Sequence, residues 1–586
     1  MKDRRYAMKI PGMLRLLVVA LVVVVQVLFM LWVVMKLRVD TTWFWIGFQV
    51  LGLITALFVV RKDRNPTYAV SWIILILGFP VLGLIMYFLW GRNAKFAASA
   101  KRLRQLQRRM EPFLDMNEPL LETLREEQHE RSLQAQFLMN AGFPVYTNTS
   151  LQYFPSGEKH FKKIFEDIEN AREFVFLEFF ILADGDLWSS MEKLLIKKAS
   201  QGVDVRLMFD DFGSVIKAPN DLIRRLRENN VQVIKFNPVM RYISRLYINY
   251  RNHQKIIVID GEIGHTGGSN IADEYVNIYP RFGHWKDTGI RLQGDAAWGL
   301  TSTFLMMWEF ESGTAEPNYA YYMPRRLQRE RGLPVRPEPA ALSPADKALA
   351  AANPVISPGL ARVFEKSPTA ELYDTILNRP DLTPPRLNAR APFSLPGEAF
   401  REGESFVIPY WDGPTNNPNN PSEDIYLSLI NTAVDYCYFS TPYFIVDDAM
   451  VRAICRAAES GVDVRMITPG IPDKPLVFQV TRSHYKRLLE SGVKIYEYEP
   501  GFIHAKTMIV DGTHCITGSV NFDYRSFNLH YENAIWICND PVYTDIYLDF
   551  VETFGLCREL DIESWRKRPL GERILQPVLK LFAPLM

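Results

Sequence analysis

Three long stretches near the N-terminus carry no charge. Leu16 to Met35 is twenty residues with one polar side chain, Gln26, and Trp43 to Val60 and Ala69 to Trp90 follow it. About 20 apolar residues in helical form cross a hydrocarbon core. None of the three runs shows the polar positions at helical spacing that a soluble core helix carries. Residues 1–94 are therefore expected to form an N-terminal transmembrane region of two to three hydrophobic segments, 16–35, 43–60 and 69–90. The first is not read as a cleaved signal, because no small-x-small site follows before Lys36. Charge then limits the number of crossings. Lys2, Arg4, Arg5 and Lys9 precede the first run, and Arg92, Lys95, Lys101, Arg102 and Arg104 follow the third. Both clusters favour the cytoplasm, and three full crossings would separate them. One run is thus expected to be re-entrant or interfacial, and the third, broken by Gly78-Phe79-Pro80, is the candidate. The reading is a multi-pass protein of the cell (inner or plasma) membrane with the rest of the chain in the cytoplasm.

Beyond the membrane end the pattern changes. Residues 95–145 are charged and helix-favouring, with Leu103, Leu106 and Met110 at helical spacing, and read as a helical connector. Phe174 to Phe180 then reads as a buried strand, and Gly202-Val203-Asp204-Val205-Arg206 as a turn opening a second. Tyr436 to Phe439 and Gly461-Val462-Asp463-Val464-Arg465 repeat this arrangement, at an offset of 461 − 202 = 259. Strand and helix in alternation predict an α/β fold with a largely parallel sheet, in two similar halves at 146–312 and 405–560. Between them, 313–404 is rich in Pro and Ala without a period, and is expected to be an insertion of short helices, partly disordered. Residues 561–586 set Arg566, Lys567, Arg568, Arg573 and Lys580 among leucines, which suits a basic amphipathic tail on anionic lipid.

Composition narrows the function classes. Lys plus Arg total 67 against 66 for Asp plus Glu, so no net field attracts nucleic acid. The five cysteines, Cys437, Cys455, Cys515, Cys538 and Cys557, form no Cys-x-x-Cys pair, and an odd set suits a reducing compartment.

The chemistry lies at matching places in the halves. His253-x-Lys255 is followed by Asp260 and by Gly267-Gly268-Ser269-Asn270. His504-x-Lys506 is followed by Asp511 and by Gly518-Ser519-Val520-Asn521. Histidines, lysines, aspartates, first glycines and asparagines all keep one offset, 504 − 253 = 251. On an extended segment His and Lys two apart share a face. Ser269, Asn270, Ser519 and Asn521 are expected to offer donors to phosphate oxygens. Two such sets around one phosphate suit a two-step displacement: one neutral imidazole attacks phosphorus, and the other, protonated, serves the leaving oxygen. The lysines supply the electrostatics, so no metal or cofactor is required. Each imidazole needs an orienting carboxylate, and Asp287 and Glu532 are the candidates. Asp260 and Asp511 are grouped with His253, Lys255, His504 and Lys506 as the catalytic motif residues, although their odd spacing from the histidines also reads as a tie between strand and turn.

This duplicated pattern resembles the phospholipase D superfamily, and more closely its bacterial cardiolipin synthases. Asp210-Asp211-Phe212-Gly213-Ser214, Asn249-Tyr250-Arg251-Asn252, Thr441-Pro442-Tyr443-Phe444 and Asp523-Tyr524-Arg525-Ser526-Phe527 extend the similarity beyond the motifs. The resemblance implies two pseudosymmetric phospholipase D-like α/β domains sharing one active site behind a transmembrane helical region. It implies transfer of a phosphatidyl group between two phosphatidylglycerols of a bacterial membrane, giving cardiolipin and glycerol through a phosphohistidine. It also implies His253 as nucleophile and His504 as acid. Hydrolysis to phosphatidic acid and a non-catalytic membrane-organising role are the alternatives, and nothing in the sequence sets an oligomeric state. Three features depart from the family: the insertion is long, His530 stands where Asn is usual, and Gly268 stands where Ser is usual.

Overall fold

The computed structural model describes residue 28 and residues 42–62, 66–88, 96–127, 129–239, 250–338, 355–377, 405–415 and 420–583. The expected crossing by 16–35 lies outside the described residues except at Leu28. The second hydrophobic run forms a helix, Thr42–Lys62, with Val50, Leu53, Leu57, Phe58 and Val60 exposed. The third forms two helices, Pro66–Gly78 and Pro80–Met86. Pro80 has no N–H to continue the first ladder, and the chain turns back. Trp72 and Tyr87 are 87 − 72 = 15 positions apart, which in a straight helix is about 22 Å. Their rings meet edge to face at 5.4 Å. A Cβ on Gly83 would sit 2.2 Å from the Leu75 carbonyl oxygen, so the hairpin closes only with glycine there. Among the described residues no helix is long and apolar enough to cross a membrane.

The connector is helical as its spacing predicts, at Phe96–Met110, Glu118–Glu127 and His129–Asn140, with Leu103, Leu106 and Met110 buried in the core. Each half then builds a sheet in the same strand order. In the first the order is Thr149–Phe154, Gly289–Gly294, Ile263–Gly267, Ile256–Ile259, Phe174–Phe179, Asp204–Asp210 and Gln232–Phe236. In the second it is Phe406–Asp412, His530–Cys538, His514–Gly518, Thr507–Val510, Tyr436–Ser440, Asp463–Pro469 and Lys494–Tyr498, with Cys557–Leu560 added at the edge.

The sheets are mixed rather than largely parallel. In the first half Phe174–Phe179, Asp204–Asp210 and Gln232–Phe236 run parallel through helical crossovers, and the remaining pairs are antiparallel. The reason is local. Each motif strand ends in a turn whose Asp and Gly both take positive φ, 52° and 68° at Asp260-Gly261 and 50° and 74° at Asp511-Gly512. That geometry makes a tight hairpin and returns the chain antiparallel.

The helix Ala297–Ser312 is buried along nearly its whole length and joins the two sheets in one core with Trp298, Phe304, Ile408, Tyr410 and Trp536. The insertion contributes short helices at Arg325–Glu330, Pro358–Glu365 and Pro368–Leu377. The disorder expected there falls on 339–354 and 378–404, outside the described residues. The tail forms a helix, Leu570–Phe582, despite Pro577 within it, and exposes Leu570, Ile574 and Val578. Ser71 Oγ donates to the Leu581 carbonyl at 2.8 Å, joining the hydrophobic hairpin to the C-terminal helix.

Candidate active site

The motif strands begin at Ile256 and Thr507, so each His and Lys stands just ahead of a strand. Those leading segments cross between the halves. Arg251–Asn252 pairs in parallel with His530–Tyr531 of the second half, and Gly501–Ile503 pairs in parallel with His284–Lys286 of the first. The exchange continues into the histidines: His253 N donates to the Tyr531 carbonyl at 2.8 Å, and His504 N to the Lys286 carbonyl at 2.7 Å.

The residue after each acceptor is an expected orienter, and it serves the opposite half. His253 Nδ1 lies 2.9 Å from Glu532, and His504 Nδ1 lies 2.8 Å from Asp287. A carboxylate at Nδ1 accepts the Nδ1 proton, which leaves the Nε2 lone pair free. Both carboxylates are fully buried, and the histidines are 7% and 6% exposed, so bulk water scarcely reaches the dyads.

Burial lowers both imidazoles below their ordinary range and keeps them neutral. It also pulls the Lys255 ammonium down to about 7 and the Lys506 ammonium to about 8; the charge of Lys506 pushes Lys255 further down, while Glu532 and Asp287 resist the change. The two carboxylates differ. Burial opposes ionisation of Glu532, but His253, the nearby His530 and Lys255 outweigh it and hold the carboxyl low. Ser519 Oγ and Ser526 Oγ add hydrogen bonds to Glu532 at 2.5 and 2.7 Å. At Asp287 burial wins, and the carboxyl rises to about 6 even though Lys506 and the Thr288 N–H lower it.

The other expected residues divide between site and scaffold. Asp260 accepts the backbone N–H groups of Arg172, Glu173 and Phe174, and Asp511 those of Val434, Asp435 and Tyr436. Both tie turn to sheet and face away from the histidines. Asn270 spends its oxygen on the Ile181 N–H and its amide N–H on the Tyr275 hydroxyl, so it pins its loop. Asn521 donates to Ser526 Oγ. Ser519 serves Glu532, whereas buried Ser269 Oγ makes no hydrogen bond among the described residues. Lys255 and Lys506 each donate to the carbonyl of their own histidine.

Sequence reasoning passed over the rings that brace the dyads. Phe180 meets His253 edge to face at 5.0 Å, and Trp285 lies 5.4 Å from His504. It also passed over the role of Ser526. The signal for Ser526 was its place behind Asp523, which caps the helix Tyr524–Asn528 by accepting the Ser526 N–H.

Two dyads with open nitrogens, beside two buried lysines, can hold and exchange one phosphodiester group. Comparison with known proteins agrees with this arrangement. The family model described as cardiolipin synthase, PLD-like domain, matches residues 164–278 and 426–553, and a phospholipase D-nuclease N-terminal model matches 50–92. A cardiolipin synthase of Geobacillus kaustophilus is 30% identical over 93% of this chain and 96% of its own length. A protein of Streptococcus mutans described only as uncharacterized is 31% identical over 91% and 99%. The fold is shared with a solved phosphatidylserine synthase of Haemophilus influenzae, at a TM-score of 0.50 and 15% identity, over 77% of this chain and 97% of that one. By its duplicated domains and its full-length relatives, the chain belongs to the cardiolipin synthase family of the phospholipase D superfamily.

Proposed function

We propose that the chain makes cardiolipin by moving a phosphatidyl group from one phosphatidylglycerol to another and releasing glycerol. The observation that carries this is the crossed pairing of the dyads, which holds two oriented, neutral imidazoles beside two lysines in one nearly closed site. The approaching phosphodiester anion favours one imidazolium, assigned to His504. His253 Nε2 attacks phosphorus, the bond to glycerol breaks, and His504 gives its proton to the departing oxygen. In the second step His504 takes the proton from a hydroxyl of the second phosphatidylglycerol. That oxygen displaces His253 and restores the enzyme. Lys255 and Lys506 stabilise the equatorial oxygens. Ser519 holds Glu532, and Asn270, Asn521 and Ser269 shape the loops around the phosphate. The low exposure of both histidines favours a lipid hydroxyl over water as acceptor. Purified protein incubated with phosphatidylglycerol should yield glycerol and cardiolipin in equal amounts. Phosphatidic acid as the product would make it a hydrolase, and no turnover would leave a membrane-organising protein.

The same reading places the enzyme at a bacterial membrane as a multi-pass protein with its site in the cytoplasm. The hairpin of Pro66–Met86 supports a re-entrant third segment, which lets both basic clusters lie on one side of the membrane. A cysteine introduced at exposed Pro334, after the native cysteines are replaced, should resist an impermeant thiol reagent in intact cells. Labelling without permeabilisation would put the site outside.

A further inference from the structure

His530 belongs to neither dyad, yet it lies against one. In the paired segments Arg251 faces His530 and Phe502 faces Trp285, and 502 − 251 = 251 is the repeat offset. His530 is therefore the counterpart of Trp285. Each ring rests on a catalytic histidine, His530 at 5.6 Å from His253 and Trp285 at 5.4 Å from His504. An indole has no lone pair to give a metal, but an imidazole does. His530 Nδ1 is buried, makes no hydrogen bond among the described residues, and lies 3.7 Å from Glu532 Oε1. The ligand atoms of His253, His530 and Glu532 all fall within 4.8 Å of one another.

We infer that His253, His530 and Glu532 form an inhibitory zinc site laid over one half of the active site, an inference that rests on the proposed role of His253. Two imidazoles and one carboxylate are a zinc donor set, whereas magnesium and calcium favour oxygen ligands. Ligands about 2.0–2.2 Å from zinc lie about 3.3–3.5 Å apart in a tetrahedron, so the His253–Glu532 pair, at 2.9 Å, must open and the wider pairs, within 4.8 Å, must close. Zinc takes the Nδ1 lone pair of the tautomer whose proton sits on Nε2, so Nε2 carries a proton and has no lone pair with which to attack phosphorus. Lys255 and Arg525 set positive charge near the three ligands and oppose the cation, so binding is reversible. Among the described residues the His504 side has no third ligand, because Trp285 fills the equivalent place.

The test uses full-length protein in detergent micelles, titrated with zinc chloride by calorimetry and, in parallel, assayed on phosphatidylglycerol. Wild type should bind one zinc per chain and lose turnover over the same concentration range, with recovery on adding EDTA. His530→Asn removes one ligand, and His530→Trp copies the opposite half while keeping a stacked ring. Both should weaken zinc binding at least about tenfold, the scale expected when a metal site loses a group that supports it. Equal zinc affinity in both variants would overturn the site, as would zinc binding that leaves turnover untouched. Calorimetry reports the site even if the product is not cardiolipin, so failure of the synthase reading is distinguishable from failure of this one.

Discussion

Glu532 receives two serine hydroxyls besides His253 Nδ1, whereas Asp287 has the Thr288 N–H and only the weaker influence of Ser269, which makes no close hydrogen bond to it. The better-supported anion sits behind His253, which suits a nucleophile whose developing positive charge must be neutralised. The less supported one sits behind His504, which must both give and take a proton. His253→Ala should therefore form no covalent intermediate and lose all measurable turnover, a drop on the order of 10⁴–10⁶-fold. His504→Ala should still be labelled by an activated phosphodiester, whose leaving group needs little protonation. Mass spectrometry of the labelled peptide decides it: a label on His504 in the His253→Ala variant reverses the roles. The pH profile follows from the same groups. Asp287 ionises at about 6, so kcat/KM should rise as pH increases through that value. Lys255 and Lys506 lose their protons at about 7 and about 8, so kcat/KM should fall as pH rises through that range. Bound phosphate favours the charged lysines, so the alkaline limb of kcat should lie above that of kcat/KM. A rate independent of pH across this window would remove the lysines from the mechanism.

Gly268 shows how one backbone position serves an element. A Cβ there would lie 2.1 Å from Asp287 Oδ1, so no side chain fits where the second half carries Ser519. Gly268→Ala should push Asp287 off His504 and cost about 100-fold in turnover, the scale of a catalytic group misplaced by about 1 Å. Its thermal unfolding should stay near wild type, and unfolding with loss of both domains would assign the glycine to folding instead. Much of this level was legible in the sequence. The constant offset of 251 placed both motifs, the buried runs marked the parallel strands, and the odd spacing of Asp260 and Asp511 identified them as ties. The antiparallel half of each sheet was legible but passed over: Asp260-Gly261 and Asp511-Gly512 are the dipeptides a two-residue hairpin favours, and both residues take positive φ there. The bracing by Phe180 and Trp285 was not legible, since apolar residues in strands read as core until their neighbours are known. Nor were the loop contacts of Asn270, whose oxygen takes the Ile181 N–H and one of whose N–H groups donates to the Tyr275 hydroxyl, contacts that no spacing reveals.

At the scale of the whole molecule, each half holds a histidine it cannot orient and a carboxylate it does not use. Glu532 reaches His253 and Asp287 reaches His504 only because two short strand pairs cross between the halves. The buried helix Ala297–Ser312 and its contacts with both sheets make the halves one core. An isolated first half, 1–390, thus has His253 with no acceptor for its Nδ1 proton. An isolated second half, 391–586, has His504 in the same condition. The cut lies within 378–404, between the described helix Pro368–Leu377 and the strand Phe406–Asp412, so it severs no described element. Neither piece alone should be labelled by an activated phosphodiester. The two expressed together in one membrane should recover labelling on His253 and synthesis of cardiolipin, because the crossed strands and shared core supply the association. A Glu532→Gln change in the second piece should then abolish labelling of His253 in the first, by about 10⁴-fold as for a mis-oriented catalytic imidazole. The readout is residue-specific: labelled peptide from one polypeptide reports on a carboxylate carried by the other. If the first piece alone is labelled at full rate, the crossed dyad is not what activates His253, and the case for one site built from two halves fails.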